Sequence, residues 1–159
     1  MDWAWAMVQP MRRFFVHIYV TKCWIVIVWV MLAPALWAAD PVAAATKALS
    51  SAGVFAFGGV GYAGQTSLGE IAFKAILAEP PQEALAAFEK VFASGDATAR
   101  SYALVGIRKL DRNRYKELLR TVEASHDTVL TEHGCIVSRE TLGAVAGEID
   151  AGHFDVWVK

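Results

Sequence analysis

The chain has 159 residues, of which 55% are apolar, and its formal net charge at neutral pH is -1. From Asp40 onward, 15 acidic residues outnumber 12 basic ones, a balance that excludes general nucleic-acid binding because that requires a strongly positive surface. Five of the six tryptophans precede residue 40. The apolar excess therefore belongs to the N-terminal segment, and the remaining length predicts one globular domain.

Residues 1–39 are predicted to be a signal peptide. Positive charge at Arg12, Arg13 and Lys22 precedes an apolar run, and an alanine-rich exit region follows it, which is the three-part order of secretory leaders. The alternative is an uncleaved membrane anchor, because residues 23–39 are uncharged and just long enough to span a bilayer. Translation starts either at Met1 or at Met11.

Both alternatives predict that residues 40–159 lie outside the cytoplasmic membrane, in the periplasm or secreted, or anchored to that membrane by residues 23–39. Cys23 falls in the leader, so Cys135 is the one cysteine of the remaining chain. The predicted domain thus has no internal disulfide, and its core alone must stabilise it.

The fold class predicted for residues 40–159 is mainly α, a bundle of short antiparallel helical hairpins. The helix signals are local: N-capping residues, apolar stripes of helical period, and Gly or Pro at the ends. They predict helices over 40–51, 68–78, 81–94, 96–110, 111–122 and, after a Ser138 cap, up to Gly152. In the second of these helices, the predicted buried stripe is Leu68, Ile71, Ala72, Ala75 and Ile76.

A glycine-aromatic stretch, Phe55 to Ser67, separates the first two predicted helices. Residues 59–64 match the dinucleotide fingerprint G-x-G-x-x-G, but the helix start lies after the glycines, at a capping box of Ser67 and Glu70. We therefore expect a structural loop and no cofactor, with the aromatic rings of the stretch plugging it onto the helices. The loop glycines are Gly58, Gly59, Gly61 and Gly64, and the aromatic residues are Phe55, Phe57 and Tyr62.

The segment from Asp96 to Leu110 resembles the second helix of a HEAT-type repeat. Asp96, Ala99-Arg100, Ala103 and Gly106-Ile107 stand where that family places its acidic cap, its small residue with arginine, its alanine and its small-then-aliphatic pair. The resemblance covers residues 81–125 and implies helical-hairpin packing, without any ligand. The glycine-aromatic stretch is also similar to one in uncharacterised exported bacterial proteins.

Short apolar pairs around Gly134 predict a small β element near 128–138. His133 and Cys135 are the only neighbouring residues of catalytic type, and a cysteine nucleophile needs a base within hydrogen-bond reach. We expect Cys135 to be buried and structural, since free cysteine is among the most buried residue types; a reactive thiol is the alternative. The histidines and Cys135 lack the spacing of a zinc site, so no metal is expected.

Arg112, Lys116 and Arg120 recur at four-residue spacing and so fall on one face of the fifth predicted helix. This basic stripe is either a solvated face, partly neutralised by Asp111, Glu117 and Glu123, or a contact surface. The C-terminal Val156-Trp157-Val158 either docks onto the domain or meets a partner.

These features favour an exported, non-enzymatic helical protein that acts as a protein-protein interaction module, with an unidentified protein partner in the cell envelope and no nucleic acid. Two alternatives remain. One is a small enzyme or redox protein using Cys135 with His133. The other is a protein associated with the envelope lipid surface, for which Trp157 and the basic stripe would lie together.

Overall fold

The computed structural model describes residues 40–158, so the predicted signal peptide or anchor lies outside the described residues. The helices are α1 (Pro41–Ser50), α2 (Leu68–Leu77), α3 (Pro81–Ser94), α4 (Ala97–Leu110), α5 (Arg112–Val122), α6 (Leu142–Ala151) and a 3-10 turn at Asp155–Trp157. Two separate antiparallel hairpins pair β1 (Gly59–Val60) with β2 (Gln65–Thr66), and β3 (Thr128–His133) with β4 (Ile136–Thr141). The mainly helical fold and the small β element are confirmed. Among the described helices, none has the length and apolar character needed to cross a membrane.

Three of the four side chains predicted to cap helices do so, those of Ser67, Asp96 and Asp111. The side chain of Asp96 accepts a hydrogen bond from the Ala99 amide at 2.8 Å, and that of Asp111 accepts from the first amides of α5. The last helix is the exception, since Thr141 caps α6. The predicted cap, Ser138, lies instead in β4 because its backbone pairs with β3.

Helix α4 is the centre of the core, with nine of its residues buried. Small side chains let its neighbours approach closely. A Cβ placed on Gly106 would lie 2.5 Å from the ring of Phe88 in α3. The absence of a side chain at Gly106 therefore allows the ring of Phe88 to lie directly against the α4 backbone.

The buried face of α2 differs from the predicted one. Leu68 and Ile71 are 83% and 53% exposed, whereas Phe73 and Ile76 are fully buried together with the carboxylate-bearing Glu70. The apolar period identified the helix correctly, but it placed three apolar residues inside, Leu68, Ile71 and Ala75, that the structure leaves on the surface.

The glycine-aromatic stretch packs onto this core through its first half. Phe55 and Phe57 are buried, and their rings meet edge to face at a centroid distance of 5.5 Å. The ring of Phe55 also lies 4.8 Å from that of Tyr102 in α4. Tyr62 does not plug the loop, because it lies fully exposed at the tip of the β1-β2 turn, between Gly61 and Gly64, which both have positive φ.

Candidate interaction surface

A buried polar network ties the glycine loop to α2 and α4. The phenol of Tyr102 donates to the Ala56 carbonyl at 2.8 Å and accepts from the Ala56 amide at 2.9 Å. Ser67 Oγ also donates to the Ala56 carbonyl, at 3.0 Å. Burial raises the pKa of the Tyr102 phenol above its usual value. The hydroxyl stays protonated at neutral pH, so its role is to hold the loop backbone.

Only half of the predicted capping box forms. Ser67 Oγ accepts from the Glu70 amide at 3.0 Å, as predicted. The Glu70 carboxylate, 2% exposed, does not reach back to Ser67, but accepts from the Gly58 amide at 2.8 Å and pairs with Lys74 Nζ at 2.6 Å. The two contacts satisfy a buried charge and turn this part of α2 inward. Gly58 itself has a positive φ of 85°.

Cys135 is exposed, so the prediction that it is buried is wrong. It is the second residue of the two-residue turn between β3 and β4, and Gly134 before it has a φ of 60°. A tight hairpin turn directs its side chains to solvent, which explains the exposure. His133 closes the strand beside the turn and is also exposed. Within residues 40–158, no hydrogen bond joins the thiol to an imidazole, and no group of acidic, His or Cys residues could hold a metal.

The three residues of the predicted basic stripe, Arg112, Lys116 and Arg120, are all exposed on α5. None of them forms an ion pair with another described residue. Asp111 and Glu117 form no ion pair with these three residues, since the Asp111 carboxylate caps the helix and Glu117 pairs with Arg114 at 2.8 Å. We call Arg112, Lys116 and Arg120 the α5 basic face.

A polar concavity of about 280 Å³ adjoins this face at the start of α5, lined by Arg108, Lys109, Arg112 and Asp155. The guanidinium of Arg108 pairs with Asp155, donates to the Asp150 carbonyl at 3.3 Å, and is only 10% exposed. Lys109 has no such partner among the described residues. The pair of Arg108 and Asp155 could not be predicted from the sequence, because 47 residues separate the two side chains along the chain.

The C-terminal tail docks beside this concavity. Phe154 and Val158 are buried, while Trp157 remains 45% exposed with its ring over Gly58. Trp157, Lys109 and Lys74 line a second concavity of about 490 Å³, which shares Lys109 and Val158 with the first. An exposed aromatic ring and several cations therefore lie on one side of the molecule.

A separate apolar groove of about 820 Å³ lies between α1 and α2. Its walls include Ala44 and Ala48 of α1 and Leu68, Ile71 and Ala75 of α2. It was missed at the sequence level for the same reason that the buried face of α2 was misplaced: Leu68 and Ile71 were assigned to the core.

Comparison with known proteins gives no match: no family model, no curated protein and no solved structure matches this chain.

Proposed function

We propose that this chain is an exported, non-enzymatic interaction module whose α5 basic face, extended by Lys109, contacts an acidic protein partner in the cell envelope. The observation that carries the proposal is the set of exposed cations without an ion pair in the described part of the chain. Cations that are free of internal partners remain available to carboxylates of another molecule, and they steer its approach over a Debye length.

The scaffold under these cations favours a defined contact geometry. Buried Tyr115 and Val122 fix α5 against the domain, and Arg114 Nε bonds Glu89 of α3 at 2.6 Å. Arg112, Lys116 and Arg120 span two helical turns, a length of about 12 Å. An acidic helix or extended acidic segment of the partner would match this spacing.

Export is part of the proposal and comes from the predicted signal peptide or anchor in residues 1–39. The predicted route places the domain where envelope proteins and their exposed segments are accessible. The exposed Cys135 thiol has no hydrogen-bonded base within residues 40–158, which favours the module over the cysteine-dependent enzyme.

Charge reversal at Arg112→Glu and Lys116→Glu is expected to abolish capture of the partner and to leave the thermal midpoint nearly unchanged, because exposed charges contribute little to folding. The matched control is Lys47→Glu with Lys90→Glu, which changes the net charge equally at exposed positions of α1 and α3. Partner capture from the envelope fraction, followed by thermal unfolding of each variant, measures both effects.

Equal loss of capture in the control would contradict a defined contact face and indicate a general charge effect. Unchanged capture in the Arg112 and Lys116 variant would exclude the α5 basic face. A measurable turnover that disappears on Cys135→Ser would instead favour the enzyme.

A second candidate, association with anionic lipid head groups, is supported by the position of Trp157 beside Lys109 and Lys74. Tryptophan is favoured at membrane interfaces, and basic residues near it add electrostatic attraction. Vesicle binding separates the two candidates. Flotation with vesicles rich in phosphatidylglycerol, lost on Trp157→Ala and in high salt, would favour the lipid surface over a protein partner.

A further inference from the structure

Within residues 40–158, the β3-β4 hairpin has one edge that pairs with no other strand. On the outer edge of β3, Phe55 donates to the Leu130 carbonyl at 2.7 Å and accepts from the Glu132 amide at 3.1 Å. The backbone groups of Leu130 and Glu132 therefore point away from β4. The backbone groups of residues 129, 131 and 133 point towards β4 and form the hydrogen bonds with it. Their register partners are Glu140, Ser138 and Ile136.

The direction of the backbone hydrogen-bonding groups alternates along a strand, and this alternation determines which backbone groups of β4 are free. Because Ile136, Ser138 and Glu140 bond inward, the amides and carbonyls of Val137, Arg139 and Thr141 point outward. Within residues 40–158, β4 has no strand neighbour other than β3. The strand also has no proline and no bulge, and Ile136 and Val137 are 70% and 58% exposed. It thus lacks most of the devices that protect edge strands from pairing.

We propose that this edge joins two copies of the chain: β4 pairs antiparallel with β4 of a second copy, with Ser138 opposite Ser138, to form a continuous four-stranded sheet. Exposed backbone groups on each edge would then satisfy one another, as in β-strand addition between proteins. Since the same strand serves both copies, the interface is closed and twofold, which limits assembly to a dimer.

Charge selects this register among the possible ones. Outward-pointing residues must pair with outward-pointing residues, so one strand can slide past the other only in steps of two residues. Each such step moves the centre of the pairing by one residue. Centring on Arg139 would set two guanidinium groups directly opposite each other, which is unfavourable. Centring on Val137 would run the ends of the strands past the Gly134 turn. Centring on Ser138 avoids both.

The Ser138 register also brings opposite charges near each other. Arg139 lies opposite Val137 of the second copy, and the β3 residue paired with Val137 is Glu132. Two strand spacings, about 10 Å, separate the Arg139 and Glu132 backbones, and their two side chains can close that gap. The Arg139 row thus contains groups of opposite charge.

Site-directed disulfide cross-linking tests the register. In a chain with Cys23→Ser and Cys135→Ser, Ser138→Cys places two thiols in a non-hydrogen-bonded pair with Cα atoms about 4.5 Å apart, within the range of disulfides. The matched control, Arg139→Cys on the same background, faces Val137 of the second copy. We expect the Ser138→Cys chain to form a covalent dimer on mild oxidation about tenfold faster or more than the control.

A second variant tests the edge without a disulfide. Arg139→Pro removes an outward amide and no β3-β4 bond, so an edge strand accepts it. Sedimentation should show a concentration-dependent dimer for the unmodified chain and a monomer for Arg139→Pro. Equal cross-linking of the Ser138→Cys and Arg139→Cys chains, or a monomer at every soluble concentration of the unmodified chain, would overturn the proposal.

Discussion

Replacing Phe55 with alanine is expected to lower the free energy of unfolding by about 3 to 5 kcal/mol. The ring is 1% exposed and lies between Phe57, Tyr102 and Phe154, with centroid distances of 5.5, 4.8 and 5.0 Å. Its removal loses apolar burial and three aromatic contacts, and it leaves a cavity at the junction of the glycine loop and α4. The shift of the midpoint in urea unfolding at constant slope measures the effect.

The matched control for this change is Tyr62→Ala in the same loop. Tyr62 is 102% exposed, so its truncation is expected to change the free energy of unfolding by no more than about 0.5 kcal/mol. Similar costs for the two substitutions would contradict the packing described for the loop. A cost of the expected size at Phe55 would remove a large share of the roughly 5 to 15 kcal/mol that stabilises a typical domain.

The second large effect is expected from Gly69→Ala in the first turn of α2. A Cβ at Gly69 would lie 2.5 Å from the Tyr102 hydroxyl oxygen and 2.6 Å from the ring carbon bearing it. The hydroxyl is held by the Ala56 amide and carbonyl, so it cannot move aside without breaking buried hydrogen bonds. We expect destabilisation of about 1 to 3 kcal/mol from overpacking.

The same substitution at Gly147 should raise the stability of the domain and not lower it. Gly147 is an exposed position inside α6, and a Cβ there meets nothing within 4 Å. Alanine is the better helix former by about 1 kcal/mol, so Gly147→Ala is expected to raise the unfolding midpoint. If Gly69→Ala were also stabilising, the close contact between α2 and Tyr102 would be refuted.

Helix positions could be predicted because their signals are local. The capping side chains of Ser67, Asp96 and Asp111 bond amides within three residues of themselves. Pro81 opens α3 and Gly95 follows its end. Such contacts depend on neighbouring residues alone, so the sequence specifies them whatever the rest of the chain does.

The buried face of α2 could not be predicted because it depends on a distant contact. Glu70 reads as an exposed capping residue, yet it is buried because its carboxylate binds the Gly58 amide, 12 residues earlier. Because the side of α2 that carries Glu70 faces the core, Leu68 and Ile71 face solvent. The error at Cys135 has a similar origin, since the turn position follows from strand register and outweighs the residue's average preference for burial.

The α5 basic face could be predicted from the sequence, but the contacts that other parts of the chain make beside it could not. Four-residue spacing on one helix is sufficient to group Arg112, Lys116 and Arg120. Trp157 joins that region only because the tail folds back onto the end of α4, where Asp155 pairs with Arg108. Periodicity within one element carries no information on such a contact between elements distant in the chain.

The most direct test of the proposed contact face is photo-cross-linking in living cells from a reactive amino acid placed at Lys116, with Lys90 on α3 as the matched control position. Both side chains are exposed. A defined partner on the α5 basic face predicts a discrete heavier product from position 116 that is absent from position 90. Products of equal yield from both positions, or a product from position 90 alone, would contradict it.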